Sequence, residues 1–120
     1  MEDQQGVRGM LEIKGNGVRL TRGDSTRFTL RLEGLEVPNG TRALFTVKKR
    51  AWRYEAPVIE ESFVALNNEV EVILSPEQTN ISTGDYVWDL RLFIESEDGF
   101  DVMTPMTYAA FDVVEVIANE

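Results

Sequence analysis

The 120-residue sequence contains no cysteine and no histidine. Disulfides, thiolate chemistry, zinc sites built on Cys or His, and imidazole-based triads are therefore excluded. Carboxylates, hydroxyls and amines are all that remain for catalysis. Long apolar runs are missing as well. No stretch approaches the ~18–20 residues of a membrane span, and Met1 to Met10 lacks the apolar centre of a signal peptide. Basic residues nearly vanish from the second half. Residues 61–120 hold 13 acidic side chains and Arg91, whereas residues 1–60 hold 11 basic and 8 acidic ones. The net charge of −9 opposes contact with nucleic acid and with anionic membranes. What is present, 42% hydrophobic and 28% charged residues, is the composition of an ordinary soluble globular domain, one by length.

No long window carries the 3.6-residue apolar period of an amphipathic helix. Short runs of period-2 alternation recur instead. Arg27 to Glu33 turns Phe28, Leu30 and Leu32 inward, and Thr41 to Arg50 does the same with Ala43, Phe45 and Val47. Glu69 to Leu74 presents Val70, Val72 and Leu74. Asp85 to Glu95 is the longest such run, with Tyr86, Trp88, Leu90, Leu92 and Ile94 on one face. Weaker strands are expected at Met10 to Ile13, Val18 to Thr21, Val58 to Leu66, Phe100 to Met103 and Ala109 to Ile117, the last two interrupted by Pro105. Pro38-Asn39-Gly40, Asn67-Asn68 and Asp98-Gly99 mark turns. Ser75-Pro76-Glu77-Gln78 reads as a single capped helical turn, with Pro at the first helical position and Gln three residues after the Ser. Seven to eight short strands with turns every 8–12 residues predict an all-β, immunoglobulin-like antiparallel β-sandwich over residues 10–118, with residues 1–9 as a loose end.

The order of helical turn, Gly84 and Tyr86 matches a tyrosine corner, in which a Tyr hydroxyl bonds backbone upstream, here near Gln78 to Asn80. Trp88 then stands where such folds place a core cysteine. Gly84, Tyr86, Trp88, Phe28 and Phe45 are the expected fold determinants. In this fold the Arg27–Glu33 strand pairs with Glu69–Leu74, and Thr41–Arg50 with Asp85–Glu95. The charge asymmetry between halves then becomes cross-strand pairing: Arg27 and Arg31 meet Glu69 and Glu71, and Lys48 faces Asp89. That register also sets Thr46 opposite Arg91 and Leu44 opposite Phe93. Leu44, Val87 and Phe93 form an outward apolar strip, a candidate docking face.

Residue chemistry offers few sites. Glu95, Glu97, Asp98 and Asp101 form an acidic tip, but without the spacing of an EF-hand loop, so a solvated hairpin is expected and no metal. Lys48-Lys49-Arg50-Ala51-Trp52-Arg53-Tyr54 interleaves cations with aromatics as single-strand nucleic-acid grooves do. The acidic balance of the chain argues instead for Trp52, Arg53 and Tyr54 as a loop contact with protein, or for Trp52 as a cap on the core edge. Arg22-Gly23-Asp24 is the adhesion tripeptide, read here as a turn before a strand. No cleft with paired carboxylates and no Gly-rich phosphate loop is apparent, so no catalytic residue and no cofactor is expected.

Taken in order, several segments resemble the N-terminal immunoglobulin-like domain of phage baseplate upper proteins, from phages and prophages of Gram-positive bacteria. They are Thr21-Arg22-Gly23-Asp24-Ser25 with Phe28-Thr29-Leu30, and Ala43-Leu44-Phe45-Thr46-Val47-Lys48-Lys49. They continue with Gly84-Asp85-Tyr86-Val87-Trp88-Asp89-Leu90-Arg91-Leu92, Thr104-Pro105, and Phe111-Asp112-Val113. The resemblance spans about residues 17–117 and is most specific from Gly84 to Leu92. It implies a non-catalytic structural module that docks an adhesion or peripheral tail component onto the tail assembly. Other tail or baseplate proteins, and further copies of the chain, would be its partners. Its place would be the virion tail, or the bacterial cytoplasm before assembly. The alternative is a free-standing immunoglobulin-like binding module for a cell-surface glycan or protein, with Trp52 and Tyr54 as the aromatic platform.

Overall fold

A computed structural model describes residues 11–115, apart from residues 15, 53, 98, 106 and 107. The expected loose end at residues 1–9 and the limits at residues 10 and 116–118 lie outside the described residues. The chain runs β1 (Leu11–Lys14), β2 (Gly17–Thr21), β3 (Thr26–Arg31), β4 (Arg42–Lys48), β5 (Pro57–Leu66), β6 (Glu69–Leu74), α1 (Pro76–Thr79), β7 (Gly84–Ser96), β8 (Gly99–Met103) and β9 (Ala109–Val114). The alternating segments became these strands because each presents one apolar face, and burial of each inward side chain contributes about 1.5–3 kcal/mol.

Two sheets form. The larger has the order β1-β2-β9-β7-β4-β5, with β8 pairing the outer half of β7 beyond β9. The smaller is a ribbon of β3 and β6. β5 belongs to both: Pro57 to Val64 pair with β4, and Ala65 and Leu66 pair with β6. β2 runs parallel to β9, and the remaining pairs are antiparallel. Pairing of β3 with β6 in one sheet and of β4 with β7 in the other, with β3 and β4 on opposite sheets, makes this an immunoglobulin-like β-sandwich. Phe28 of the ribbon meets Phe45 of the large sheet edge-on at 6.0 Å between centroids. Phe45 in turn contacts Trp88 at 5.3 Å and Phe111 at 6.2 Å. The core around them includes Leu20, Val47, Val70, Val72, Leu74, Leu90 and Leu92, all buried.

The β4–β7 register departs from the sequence expectation by two residues. Lys48 lies opposite Val87, Thr46 opposite Asp89, Leu44 opposite Arg91 and Arg42 opposite Phe93. Sliding by two keeps every inward side chain inward, so the core pattern is silent on the choice. The Lys48–Asp89 pair, worth about 0.2–1 kcal/mol at a surface, is given up for the packing that sets Val47 beside Trp88 and Phe45 beside Leu90. On the ribbon the charge pairing holds. Arg27 reaches Glu71 at 3.6 Å and Arg31 reaches Glu69 at 3.4 Å.

Candidate functional site

The corner that enters β7 is built as the sequence implies, in three steps. Ser75 caps α1: its hydroxyl accepts from the Gln78 N–H at 3.2 Å, and the Gln78 side chain accepts from the Ser75 N–H at 2.8 Å. Gly84 then takes φ +150°, a backbone conformation that side-chain-bearing residues resist, with open space around it. Tyr86 follows and donates its hydroxyl to the Ser82 carbonyl at 2.6 Å, two residues beyond the expected Gln78 to Asn80. Trp88, fully buried, donates its indole N–H to the Asn16 carbonyl at 2.8 Å and so ties β7 to the β1–β2 turn.

β7 therefore fixes the outer face of the large sheet. On that face Leu44, Val87 and Phe93 are half-buried and point outward. They do not form one unbroken strip. The observed register places Thr46 and Asp89 between Val87 and Leu44, and it sets Leu44 beside Arg91. Asp89 Oδ1 is buried there and receives no hydrogen bond from the described residues. The apolar end of the face lies further along, in a row of cross-strand partners: Val102, Phe93, Arg42 and Val64. Val102 is 59% exposed and Val64 54%. The Arg42 guanidinium covers the Phe93 ring at 4.7 Å from its centroid, and its Nε donates to Ser62 Oγ at 3.1 Å. Sequence reasoning missed Val64, Val102 and Arg42. The alternation of β8 could have exposed Val102, whereas Arg42 needed the correct register.

The two ends of the sheet differ in chemistry. The β4–β5 connection carries Trp52, 61% exposed, and Tyr54, 88% exposed. Trp52 is thus no cap on the core: its ring lies under the Arg50 guanidinium at 5.0 Å, outside the sandwich. The Lys48 ammonium donates to the Trp52 carbonyl at 3.2 Å and steadies the loop. Arg53 lies outside the described residues. At the opposite end the β7–β8 hairpin exposes Glu95, Glu97 and Asp101, while Asp98 lies outside the described residues. Among the described residues no three acidic side chains cluster closely enough to hold a metal.

Two further clusters proved structural in character. The Arg22-Gly23-Asp24 turn is bound into a corner of the sandwich. Arg22 pairs with Glu115 at 3.0 Å and donates to Asn80 Oδ1 at 3.1 Å, and Thr79 Oγ1 donates to the Asp24 carbonyl at 2.7 Å. Asp85 and Asp112 face each other across β7 and β9. Partial burial, the facing Asp85 carboxylate and a hydrogen bond between them push the Asp112 carboxyl above its ordinary range, against the pull of Arg19.

No protein-family model matches the chain, and no curated protein does. Among solved structures it is similar to the extracellular domains of the voltage-gated sodium channel β4 subunit. These are described as parallel homodimers that explain that protein's role in cell–cell adhesion. The identity is 12%, the match covers 82% of this chain and 90% of that one, and the TM-score is 0.36. A likeness this slight bears on neither the activity nor the assembly of this chain.

Proposed function

We propose that the chain is a non-catalytic immunoglobulin-like module of a phage or prophage tail, which docks an adhesion or peripheral tail component onto the assembly. What supports the reading is the resemblance of its Gly84 to Leu92 segment to baseplate upper proteins. That segment is most of β7, the strand at the centre of the large sheet. The other resembling segments follow in the family's order: from the end of β2 through the turn into β3, on β4, in the β8–β9 connection and on β9. Docking in this reading uses the outer face of β4 and β7, where half-buried Leu44 and Phe93 lie near exposed Val64 and Val102, and half-buried Val87 stands apart at the far end of the face. A partner covering these side chains gains about 25 cal/mol per Å² of apolar surface removed from water.

The test joins genetics to assembly. The genes beside this one should encode tail, portal or capsid proteins. One of their products, co-expressed with the chain, should form a complex of defined mass by light scattering. Leu44→Glu with Phe93→Glu should leave a folded protein by circular dichroism and remove the complex. Neighbouring genes without any such function, or a complex indifferent to the double substitution, would overturn the reading.

A further inference from the structure

The chain carries complementary surfaces at opposite ends of its large sheet. Because β4 and β7 are antiparallel, Lys48 lies beside Val87 at one end, whereas Arg42 lies beside Phe93 at the other. The β4–β5 loop projects from the first end. It presents Lys49 and Arg50, neither ion-paired with a described carboxylate, together with the exposed rings of Trp52 and Tyr54. Exposed aromatic rings and arginine are what interfaces are enriched in, and here the Arg50 guanidinium lies over the Trp52 ring, so cation and ring are presented together. At the second end a hollow of about 290 Å³ opens between the Pro38–Thr41 turn and β7, with Arg42, Phe93 and Glu95 along it. Val102, the cross-strand partner of Phe93, adds apolar surface beside it, and the carboxylates of Glu95 and Glu97 follow along β7 and into the hairpin turn. An aromatic ring entering it would meet the Arg42 guanidinium and the Phe93 edge, while the cations beside that ring would reach the carboxylates.

We propose that the β4–β5 loop of one copy docks into the β7–β8 end of a second copy, head to tail. Trp52 or Tyr54 fills the hollow beside Phe93, and Lys49 and Arg50 pair with Glu95 and Glu97. The contact joins two different surfaces of the same chain, so it leaves a free loop at one end and a free hollow at the other. Copies add in one direction and close into a ring or continue as a filament. Binding of nucleic acid or of an anionic membrane would use the same loop, but it would leave the acidic end without a role. This inference does not rest on the tail reading.

Two charge-reversed proteins test it: Lys49→Glu with Arg50→Glu, and Glu95→Lys with Glu97→Lys. All four residues are exposed, so both proteins should fold, with circular dichroism and melting as the check. The unmodified chain should gain mass with concentration in sedimentation at low salt. Raising salt from about 50 to 500 mM should weaken the association roughly tenfold, because the pairing charges are exposed and become screened. Each reversed protein alone should stay monomeric. In an equimolar mixture the intact loop meets the intact hollow and the reversed loop meets the reversed hollow, so opposite charges face each other at both contacts and concentration-dependent association should return. An unmodified chain that stays monomeric at low salt overturns the proposal, as does reversed protein that still self-associates. A mixture that stays monomeric overturns it too, since the two reversed proteins are complementary to each other at the loop and at the hollow. So does loop-dependent binding of a single-stranded oligonucleotide or of phosphatidylserine vesicles by a chain that remains monomeric. The reversed proteins keep Leu44 and Phe93, so a tail-partner complex that survives in them separates this inference from the proposed function.

Discussion

Trp88 is the residue on which most of the interior converges. Its ring packs on Phe45, which also touches Phe28 and Phe111, and its indole N–H bonds the Asn16 carbonyl. Trp88→Ala should therefore cost about 3–5 kcal/mol, the range of a large aromatic removed from a packed core. Trp88→Phe keeps much of the volume and loses the hydrogen bond, so it should cost less. Denaturant midpoints at constant slope measure both, and a Trp88→Ala midpoint close to the parent value would mean the ring is not central. Asp112 gives a prediction of opposite sign. Partial burial and the facing Asp85 raise its carboxyl above the unfolded value, so the fold favours the protonated form. Its contribution is then fully present below the unfolded pKa of about 3.9 and is lost as pH rises through the folded value. Asp112→Asn cannot ionise. Its melting temperature should exceed the parent's at pH 7, and the gap should close as pH falls toward about 3.5. Parallel curves across that range would show that the two carboxyls do not interact.

Elements carry the next level of order, and the β5–β6 hairpin is the one whose turn does more than reverse the chain. Asn67 and Asn68 take φ of 52° and 62°, the positive values that a tight two-residue turn requires and that Asn tolerates. Asn68 also accepts from the Val37 N–H at 2.8 Å and donates to the Leu32 and Leu35 carbonyls, pinning the β3–β4 connection against the turn. Asn68→Gly keeps the backbone conformation and removes three hydrogen bonds, so it should cost about 2–4 kcal/mol, on the order of 1 kcal/mol per bond. Asn67→Gly should be nearly neutral by comparison, and equal losses from the two would show that backbone conformation alone decides. The turn itself was legible in the sequence, as was the Ser75 to Gln78 cap, because each depends on residues adjacent in the chain. The β4–β7 register was not. These strands are joined by no turn, their apolar period of two is unchanged by a slide of two, and the surface charges that suggested Lys48–Asp89 are the weakest force present. The candidate docking strip inherited that error, which is why Arg42 came to light as the neighbour of Phe93 only from the pairing.

At the scale of the whole molecule the sandwich is asymmetric: a broad sheet faces a ribbon of two strands, joined along one margin by β5. The other margin ends at β3, which pairs with β6 and no other described strand. The polarity of its backbone follows from one bond. Leu32 donates its N–H to the Asn68 carbonyl at 2.9 Å and so faces the β6 side. Groups alternate along a strand, so Phe28 and Leu30 face β6 as well, and Arg27, Thr29 and Arg31 turn theirs to the open margin. Beneath that margin a hollow of about 680 Å³ runs between β3 and the large sheet, with Phe28, Leu30, Trp88 and Leu90 along it. An open edge above an apolar hollow invites a foreign strand, and the exposed charges of Arg27 and Arg31 are the kind of guard that discourages one. Hydrogen exchange should record the alternation directly. The amides of β4 and β7, paired on both sides over most of their length, should exchange only through global unfolding. Within β3, Phe28 and Leu30 should be protected, while Arg27, Thr29 and Arg31 should exchange orders of magnitude faster than their immediate neighbours. Protection that is uniform along β3 would mean that another strand occupies the margin. Repeating the measurement after removal of residues 1–9 would then tell whether that strand belongs to the same chain.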